Sequence, residues 1–153
     1  LRWLDAPHLR ALSQRSEAEL EILGDRLRAA PPKLLIWDYR LAGLPERLRS
    51  VLESDWLPFY GNLRLYAPRQ AAGTLEFRLA FPGPYLVLAP SGARVAVDGA
   101  VLQPGRRVLL DAGTHVSESD AEFRLAWLPD ASLLSLDPVF REPRPLFDGV
   151  YTY

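Results

Sequence analysis

The chain has no cysteine and no methionine, and Lys33 is its only lysine among 18 basic residues. Without thiols it can form no disulfide, no zinc–thiolate site and no cysteine nucleophile. The formal net charge of −1 lacks the clustered basic excess that nucleic-acid-binding domains carry. We therefore predict no nucleic-acid partner.

Long apolar runs are also missing. No stretch reaches the roughly 18 consecutive apolar residues of a membrane-spanning helix, and the first residues show no signal-peptide pattern. The chain opens on Leu1 without an initiator methionine. We expect it to be an excised or processed part of a longer protein.

The composition that is present is globular, with 48% hydrophobic and 24% charged residues. A length of 153 residues allows one ordinary domain or two small units. Two units of half this length would each be marginally stable, so we expect them to share a packed interface.

The first unit begins with a helix. Ser16 and Glu19 have the spacing of a capping box, in which each side chain accepts a hydrogen bond from a backbone N–H at the helix start. Pro31-Pro32 ends the helix. The predicted apolar stripe of this helix is Leu20, Leu23 and Leu27, widened by Ala18 and Ile22.

The remainder of the first unit alternates strand and helix. The apolar run from Lys33 to Tyr39 predicts a strand covered on both faces. Pro45 suits the first position of a second helix, whose predicted apolar face is Leu48, Val51 and Leu52. Residues 56–60 and 63–66 are predicted to be extended. This order is typical of half of an α/β sandwich.

Beyond Pro68–Gly73 the periodicity changes from helical to alternating. Leu75, Phe77, Leu79 and Phe81 would share one face of a strand. Asp98-Gly99 is a two-residue hairpin signal, because a type I′ turn needs positive φ at both positions. Six or so short strands at regular spacing predict an antiparallel sandwich.

The predicted fold class is α+β. A small α/β subdomain with the order helix-strand-helix-strand, residues 1–68, packs on an antiparallel β-sandwich of jelly-roll or immunoglobulin-like type, residues 69–130. A proline- and aromatic-rich tail, residues 131–153, is predicted to pack on the sandwich, either as an extended arm over it or as an added edge strand.

Asp38, with Tyr39 and Arg40, is the sharpest candidate ligand-binding site. It ends a predicted strand, and ligands gather at the carboxyl ends of strands in open α/β sheets. The alternative is an aspartate that caps a loop or pairs with an arginine. We favour the alternative, because no glycine-rich phosphate loop accompanies Asp38.

His8 and His115 are the only histidines. A metal site usually needs several converging ligands, so we predict no metal and no cofactor. His115 follows a turn, and we expect a polar strand residue there, with a ligand contact as the alternative. His8 is interpreted in the same way.

Other candidates have simpler structural interpretations. Glu118 and Asp120 are expected in a solvated loop, not in an acid–base pair. Arg106-Arg107 is expected to protect a sheet edge, with an anion or lipid-headgroup contact as the alternative. Six aromatic residues could stack on sugar rings but are expected in the core: Trp37, Trp56, Tyr60, Tyr66, Tyr85 and Trp127.

Four successive stretches together form one pattern: Glu19–Arg28, Pro31-Pro32-Lys33-Leu34-Leu35-Ile36-Trp37-Asp38-Tyr39-Arg40, Leu44-Pro45-Glu46-Arg47-Leu48, and Tyr60, Gly61, Leu63 and Tyr66. This pattern resembles the segment after the last membrane helices of bacterial GT-C glycosyltransferases. These polyprenyl-phosphate-sugar-dependent enzymes are akin to protein mannosyltransferases and aminoarabinose transferases. Three further stretches look like the β-sandwich of some members: Gly83-Pro84-Tyr85, Val95-Ala96-Val97-Asp98-Gly99 and Val108–His115.

The resemblance implies a non-catalytic accessory domain at the periplasmic, extracytoplasmic face of the cytoplasmic membrane. Its implied partners are the membrane-embedded part of the same polypeptide and a glycan or protein acceptor. The family's catalytic acidic residue lies in a loop between early membrane helices, so no catalytic residue is carried over.

Two other functions stay open from the sequence. Val-Asp-Gly followed by Gly-x-His also resembles PEGA-type surface modules. A free-standing envelope module that binds carbohydrate or protein is therefore the first alternative. A small hydrolase built around Asp38 or His115 is the least favoured function, because no Gly-x-Ser-x-Gly motif is present.

Overall fold

The computed structural model describes residues 11–38, 41, 43–60 and 62–129, without the side chain of Tyr60. Helices α1 and α2 span Glu17–Ala29 and Glu46–Asp55. The strands are β1 (Leu34–Ile36), β2 (Trp56–Tyr60), β3 (Leu63–Tyr66), β4 (Arg69–Gln70), β5 (Gly73–Leu79), β6 (Gly83–Leu88), β7 (Val95–Val97), β8 (Ala100–Leu102), β9 (Arg107–Leu110), β10 (Gly113–Ser119) and β11 (Phe123–Trp127). The predicted tail, residues 131–153, lies outside the described residues.

Helix α1 begins with the predicted capping box. Ser16 Oγ accepts a hydrogen bond from the Glu19 N–H, and the Glu19 carboxylate accepts one from the Ser16 N–H at 2.9 Å. Leu20 is buried, but Ile22 is 52% exposed, so its predicted place in the apolar stripe was wrong. Two residues turn a helix by about 200°, which carries Ile22 away from the face of Leu20.

The two helices pack closely at Gly24. A Cβ at this buried glycine would lie 3.4 Å from Val51 Cγ2, so only a very small side chain fits between the helices. Arg47 Nη2 lies 3.0 Å from Glu21 Oε1 on the solvent side of the contact. The predicted apolar face of α2 is confirmed, because Leu48, Val51 and Leu52 are all buried.

Beside the helices lies a three-stranded antiparallel sheet of order β1-β3-β2. Strand β1 is therefore an edge strand, and its Leu34 and Ile36 are 46% and 53% exposed. The prediction that this strand is covered on both faces was wrong. Only the intervening Leu35 packs against the core beneath the helices, and an apolar run by itself does not distinguish a central strand from an edge strand.

The other eight strands form two four-stranded antiparallel sheets of order β4-β11-β6-β9 and β5-β10-β7-β8. The pairs are nested: β7 with β8, β6 with β9, β5 with β10 and β4 with β11. A long hairpin of nested strand pairs, whose strands are divided between two packed sheets, is a jelly roll. Of the two predicted sandwich types, the strand order matches this one.

The core of the sandwich lies between its two sheets. It contains Phe77, Leu79, Tyr85, Val87, Val95, Val97, Leu102, Phe123 and Leu125. The predicted inward face of β5 is confirmed at Phe77 and Leu79, whereas Leu75 is 38% exposed. Phe81 lies beyond the end of β5 and packs edge-on against Tyr66 and Trp127.

The sandwich and the three-stranded sheet share an interface. Phe59 and Leu65 pack against Leu128, with Leu86 beside them. Arg124 Nη1, on β11, donates hydrogen bonds to the carbonyl oxygens of Ser54 and Ala67, the latter at 3.1 Å. The interface therefore combines apolar packing with the two hydrogen bonds that Arg124 donates, which together are called the Arg124 clamp.

None of the helices in the described ranges is long and apolar enough to cross a membrane. Of the short helix or turn predicted in residues 1–15, residues 1–10 are outside the described part, and residues 11–13 are helical.

Candidate functional site

Asp38 follows β1 and is half-buried, with its carbonyl oxygen accepting a hydrogen bond from the Leu41 N–H at 3.1 Å. Strand β1 pairs antiparallel with β3, so the rule that ligands collect at the carboxyl ends of parallel strands does not apply here. Tyr39 and Arg40 lie outside the described residues. Ligand binding at Asp38 stays a prediction.

The residue before Asp38 is held by its neighbours. The Trp37 N–H donates to the Asn62 carbonyl at 2.6 Å, and the Arg64 guanidinium lies 3.7 Å from the centre of the Trp37 ring. An arginine over an indole face is a favourable cation–π contact. One face of Trp37 is therefore occupied by protein and not presented to a sugar.

His115 occupies a different part of the molecule, on β10 of the sandwich. Its Nδ1 lies 2.6 Å from Asp98 Oδ2, and its Nε2 lies 2.9 Å from the Asp111 carbonyl oxygen. The ring is buried and stacks on Phe77, with centroids 5.7 Å apart. His115 therefore contacts Asp98 and Asp111. Asp38 follows β1 of the three-stranded sheet, whereas His115 lies in the sandwich, so the structure does not bring these two predicted site residues together.

Both partners of the His115 ring are acceptors, so the doubly protonated imidazolium satisfies both contacts. Burial lowers the pKa of His115, but the hydrogen bonds to Asp98 and to the Asp111 carbonyl outweigh it and raise the pKa above its ordinary value. The pKa of Asp98 is lowered by hydrogen bonds from the Val116 N–H and from His115. When His115 is protonated it forms an ion pair with Asp98, whose side chain is 52% exposed.

An imidazolium with both nitrogens bonded to protein has no lone pair for a general base or a metal. The arrangement is therefore a cross-link between the Asp98-Gly99 turn and β10, which supports the expected structural role of His115. Asp98 was not among the predicted site residues. The only available signal was an aspartate in a hairpin turn, and a turn does not show which distant strand its side chain meets. His8 lies outside the described residues.

The aromatic candidates are largely core residues. Trp56, Tyr66 and Tyr85 are buried, as expected, and burial raises the pKa of each tyrosine hydroxyl to about 12. The Tyr85 hydroxyl donates to the Phe81 carbonyl at 2.6 Å. Lys33 Nζ lies 4.7 Å from the Trp127 ring centre. The Tyr60 side chain is outside the described atoms.

The outer face of the β5-β10-β7-β8 sheet has a shallow concavity of about 490 Å³. Its rim includes Glu118, which lies in β10 and not in the expected loop, and Asp120, whose Oδ1 accepts a hydrogen bond from the Arg94 N–H at 2.9 Å. The lining residues are Gly73, Thr74, Arg94, Val95, Ala96, Gly99, Val101, Glu118, Ser119 and Asp120. This lining mixes charged and hydroxyl side chains with apolar ones and contains no aromatic ring.

A second crevice, of about 410 Å³, opens between the edge strands β8 and β9. Its apolar lining consists of Val87, Val101, Leu102 and Val108. Arg106 and Arg107 border it, and both are exposed. A cationic rim over an apolar floor distinguishes this crevice from the concavity on the sheet face.

Within the described ranges, no three His, Asp or Glu side chains converge as metal ligands would. No family model, no curated protein and no solved structure matches the chain. A proposal for its function therefore relies on the motif resemblance and on the contacts of the described residues.

Proposed function

We propose that this chain is a non-catalytic accessory domain of an integral-membrane glycosyltransferase that uses a polyprenyl-phosphate-linked sugar. It lies at the extracytoplasmic face of the cytoplasmic membrane and docks on the membrane-embedded part of the same polypeptide. There it stabilises that part or helps to position the acceptor. The motif resemblance supplies the family, and the β1 edge supplies the docking surface.

The observation that carries the docking role is the pair Leu34 and Ile36 on β1. Single exposed hydrophobic residues are common on protein surfaces. Here two alternate residues of one strand are about half exposed, and among the described residues β3 is the one strand that pairs with it. Apolar side chains beside open backbone N–H and C=O groups form a template to which another polypeptide can add.

The residues just before strand β1 are held in place by contacts with β2 and β3. The Lys33 carbonyl accepts a hydrogen bond from the Tyr66 N–H at 3.1 Å, and the Pro32 carbonyl accepts one from Trp56 Nε1 at 3.0 Å. A surface that is already ordered loses little conformational entropy on binding. This rigidity suits a permanent intramolecular contact.

The first test is fractionation of cells with an antibody raised against this domain. We expect carbonate-resistant membrane association at several times the 17.2 kDa of the chain. A soluble product near that mass would rule out the transferase assignment.

A variant pair tests the docking surface. Leu34→Ser/Ile36→Ser in the full-length protein should loosen the domain, seen as faster protease release from the membrane body. Ile22→Ser is the matched control, because Ile22 is as exposed as Ile36 but lies on α1. Equal release rates for the two variants would overturn the role of β1.

The alternative is a free-standing envelope module that binds carbohydrate or protein. The concavity on the sheet face favours it, because Thr74, Arg94 and Glu118 offer both donors and acceptors. Sugar sites usually add an aromatic platform, which this lining lacks, so a protein ligand fits better. Glycan-array binding by the isolated chain that is abolished by Glu118→Gln would favour the carbohydrate form of this alternative.

A further inference from the structure

Strand β5 is the longest edge strand in the described part of the chain, with seven residues from Gly73 to Leu79. In the sheet of order β5-β10-β7-β8 it pairs with β10, and no described strand lies on its other side. The other edge strand of this sheet, β8, has only three residues. A long edge with unpaired backbone groups is a place where a further strand can add.

The backbone contacts of Val116 show which groups of β5 point to this open edge. The Val116 N–H donates to Asp98 Oδ1 at 2.9 Å, and its carbonyl accepts the Asp98 N–H at 2.8 Å, both on the β7 side of β10. Opposite residues of an antiparallel pair exchange both backbone hydrogen bonds or neither. Glu76 is opposite Val116, so its N–H and carbonyl point away from β10. Thr74 and Arg78, two residues to either side, point the same way.

The charged side chains of β5 face no opposite charge across the strand pair. Glu76 is opposite Val116, and Arg78 is opposite Thr114. Both charged residues are exposed and lie on the same face of the strand. One acidic and one basic residue, two positions apart, form a pattern that complements itself when a second copy of the strand runs in the opposite direction.

We propose that β5 pairs with β5 of a second copy of this chain, antiparallel and about a two-fold axis perpendicular to the sheet, in the register that sets Glu76 opposite Arg78 of the copy. The two-fold axis makes this contact occur twice, because Arg78 then meets Glu76 of the copy. Each pair also exchanges two backbone hydrogen bonds. The two four-stranded sheets thereby join into one sheet of eight strands.

Charge decides between the registers that bring the outward-pointing residues together. In one register Glu76 lies opposite itself, and like charges directly opposite each other destabilise a sheet. In another, Glu76 lies opposite Thr74, and Arg78 has no partner within β5. The proposed register pairs both charges. It also sets Leu75, which is 38% exposed, opposite the buried Leu79 of the copy, so the exposed leucine gains apolar cover.

This inference goes beyond the proposed function and does not depend on it. Strand β5 belongs to the sandwich and β1 to the three-stranded sheet, so pairing along β5 does not occupy the proposed docking strand. Self-association of the isolated chain and membrane fractionation of the full-length product are separate measurements, and either can fail while the other succeeds.

Sedimentation equilibrium of the isolated 153-residue chain over a range of concentrations measures the dissociation constant of the dimer. With no cysteine, the chain cannot dimerise through a disulfide. Glu76→Arg, and separately Arg78→Glu, sets like charges opposite each other at both contacts and should weaken the dimer at least about tenfold. The swap Glu76→Arg/Arg78→Glu restores opposite charges and should return the dissociation constant to within about threefold of wild type.

The matched control is Glu17→Arg, which makes the same change in net charge as Glu76→Arg at an exposed position of α1. It should leave the dissociation constant unchanged. Circular dichroism melting checks that every variant remains folded, and rescue by the swap separates a lost contact from a damaged fold. A chain that stays monomeric at millimolar concentration, a swap that does not restore the dimer, or an equal loss in Glu17→Arg would overturn the inference.

Amide hydrogen exchange at Glu76 and Arg78 tests for other occupants of the edge. In the dimer, protection of these amides should rise with protein concentration. Protection that is the same at every concentration would place another segment of the same chain on the edge and contradict the proposal. Stronger self-association of Glu76→Gln/Arg78→Gln would contradict it too, because the charges would then only protect the edge. Tighter association of Glu76→Gln alone would set Glu76 opposite itself and rule out the proposed register.

Discussion

Nδ1 of His115 lies 2.6 Å from Oδ2 of Asp98, joining strand β10 to the turn between β7 and β8. The Asp98 backbone N–H also donates to the Val116 carbonyl at 2.8 Å, and the other carboxylate oxygen accepts the Val116 N–H at 2.9 Å. The turn formed by Asp98 and Gly99 closes the innermost of the nested strand pairs, β7 with β8. Three contacts therefore hold the centre of the jelly roll to β10.

Stability should fall as the pH rises through the raised pKa of His115. The unfolded value is the ordinary 6.5, so the contribution of the imidazolium is complete below that pH and is lost above the folded-state pKa. Asp98 acts in the opposite direction, because its lowered pKa contributes stability above 3.8 that disappears in stronger acid. The ion pair therefore contributes most to stability between pH 3.8 and pH 6.5.

Urea unfolding at stepwise pH measures this effect. The groups facing His115 are Asp98, Asp111 and the uncharged ring of Phe77. His115→Gln should flatten the decline above neutral pH, whereas replacement of the other histidine, His8→Gln, should leave it unchanged. A wild-type profile that stays level from mildly acidic to mildly alkaline pH would contradict the prediction.

Gly99→Ala should destabilise the protein by about 1–2 kcal/mol, because Gly99 has φ +77° and a left-handed alanine is strained. The β7–β8 pair closes the shortest loop of the nest, so we expect it to form early and the variant to fold up to about tenfold more slowly. Gly92→Ala, at φ +83° in a turn outside the nested hairpin's centre, is the control. Stopped-flow kinetics should show that Gly92→Ala loses stability mainly by unfolding faster.

Arg124→Met should cost about 3 kcal/mol, because it removes a charged donor and leaves the carbonyls of Ser54 and Ala67 without that partner. Denaturant unfolding measures the change. Arg69→Met is the matched control, since Arg69 pairs with Glu122 at the surface, where both side chains are about half exposed. Surface pairs contribute at most about 1 kcal/mol, so losses of equal size would disprove the clamp.

Gly24→Ala should raise stability by about 0.5–1 kcal/mol, because alanine is the better helix former and its Cβ would meet Val51 Cγ2 at an ordinary contact distance of 3.4 Å. Gly24→Leu should instead cost about 1–3 kcal/mol by forcing the helices apart. Melting temperatures of the two variants should move in opposite directions. A gain from leucine would show that the helix contact is loose.

Features set by near neighbours in the chain could be predicted. Ser16 and Glu19 are three residues apart, and their capping box forms as expected. Asp98 and Gly99 both have positive φ, as the hairpin signal requires. Phe77 and Leu79 face the core because strand side chains alternate, whatever the neighbouring strand is.

Features that depend on residues distant in the chain could not be predicted. Leu34 and Ile36 look like residues of a buried strand, but their exposure depends on whether other parts of the protein cover the face of the sheet on which they lie. The candidate site differs for the same reason: Asp98 and His115 are seventeen residues apart, and only the pairing of β7 with β10 brings them together.

By itself, the sequence determined where turns, caps and apolar faces occur, because these depend on backbone preferences and side-chain periods within a few residues. Only the tertiary structure decided the nested strand order, the edge positions of β1, β8 and β9, and the ion pair at His115. Many strand pairings satisfy the same alternating pattern, and choosing among them requires the packing of all strands at once.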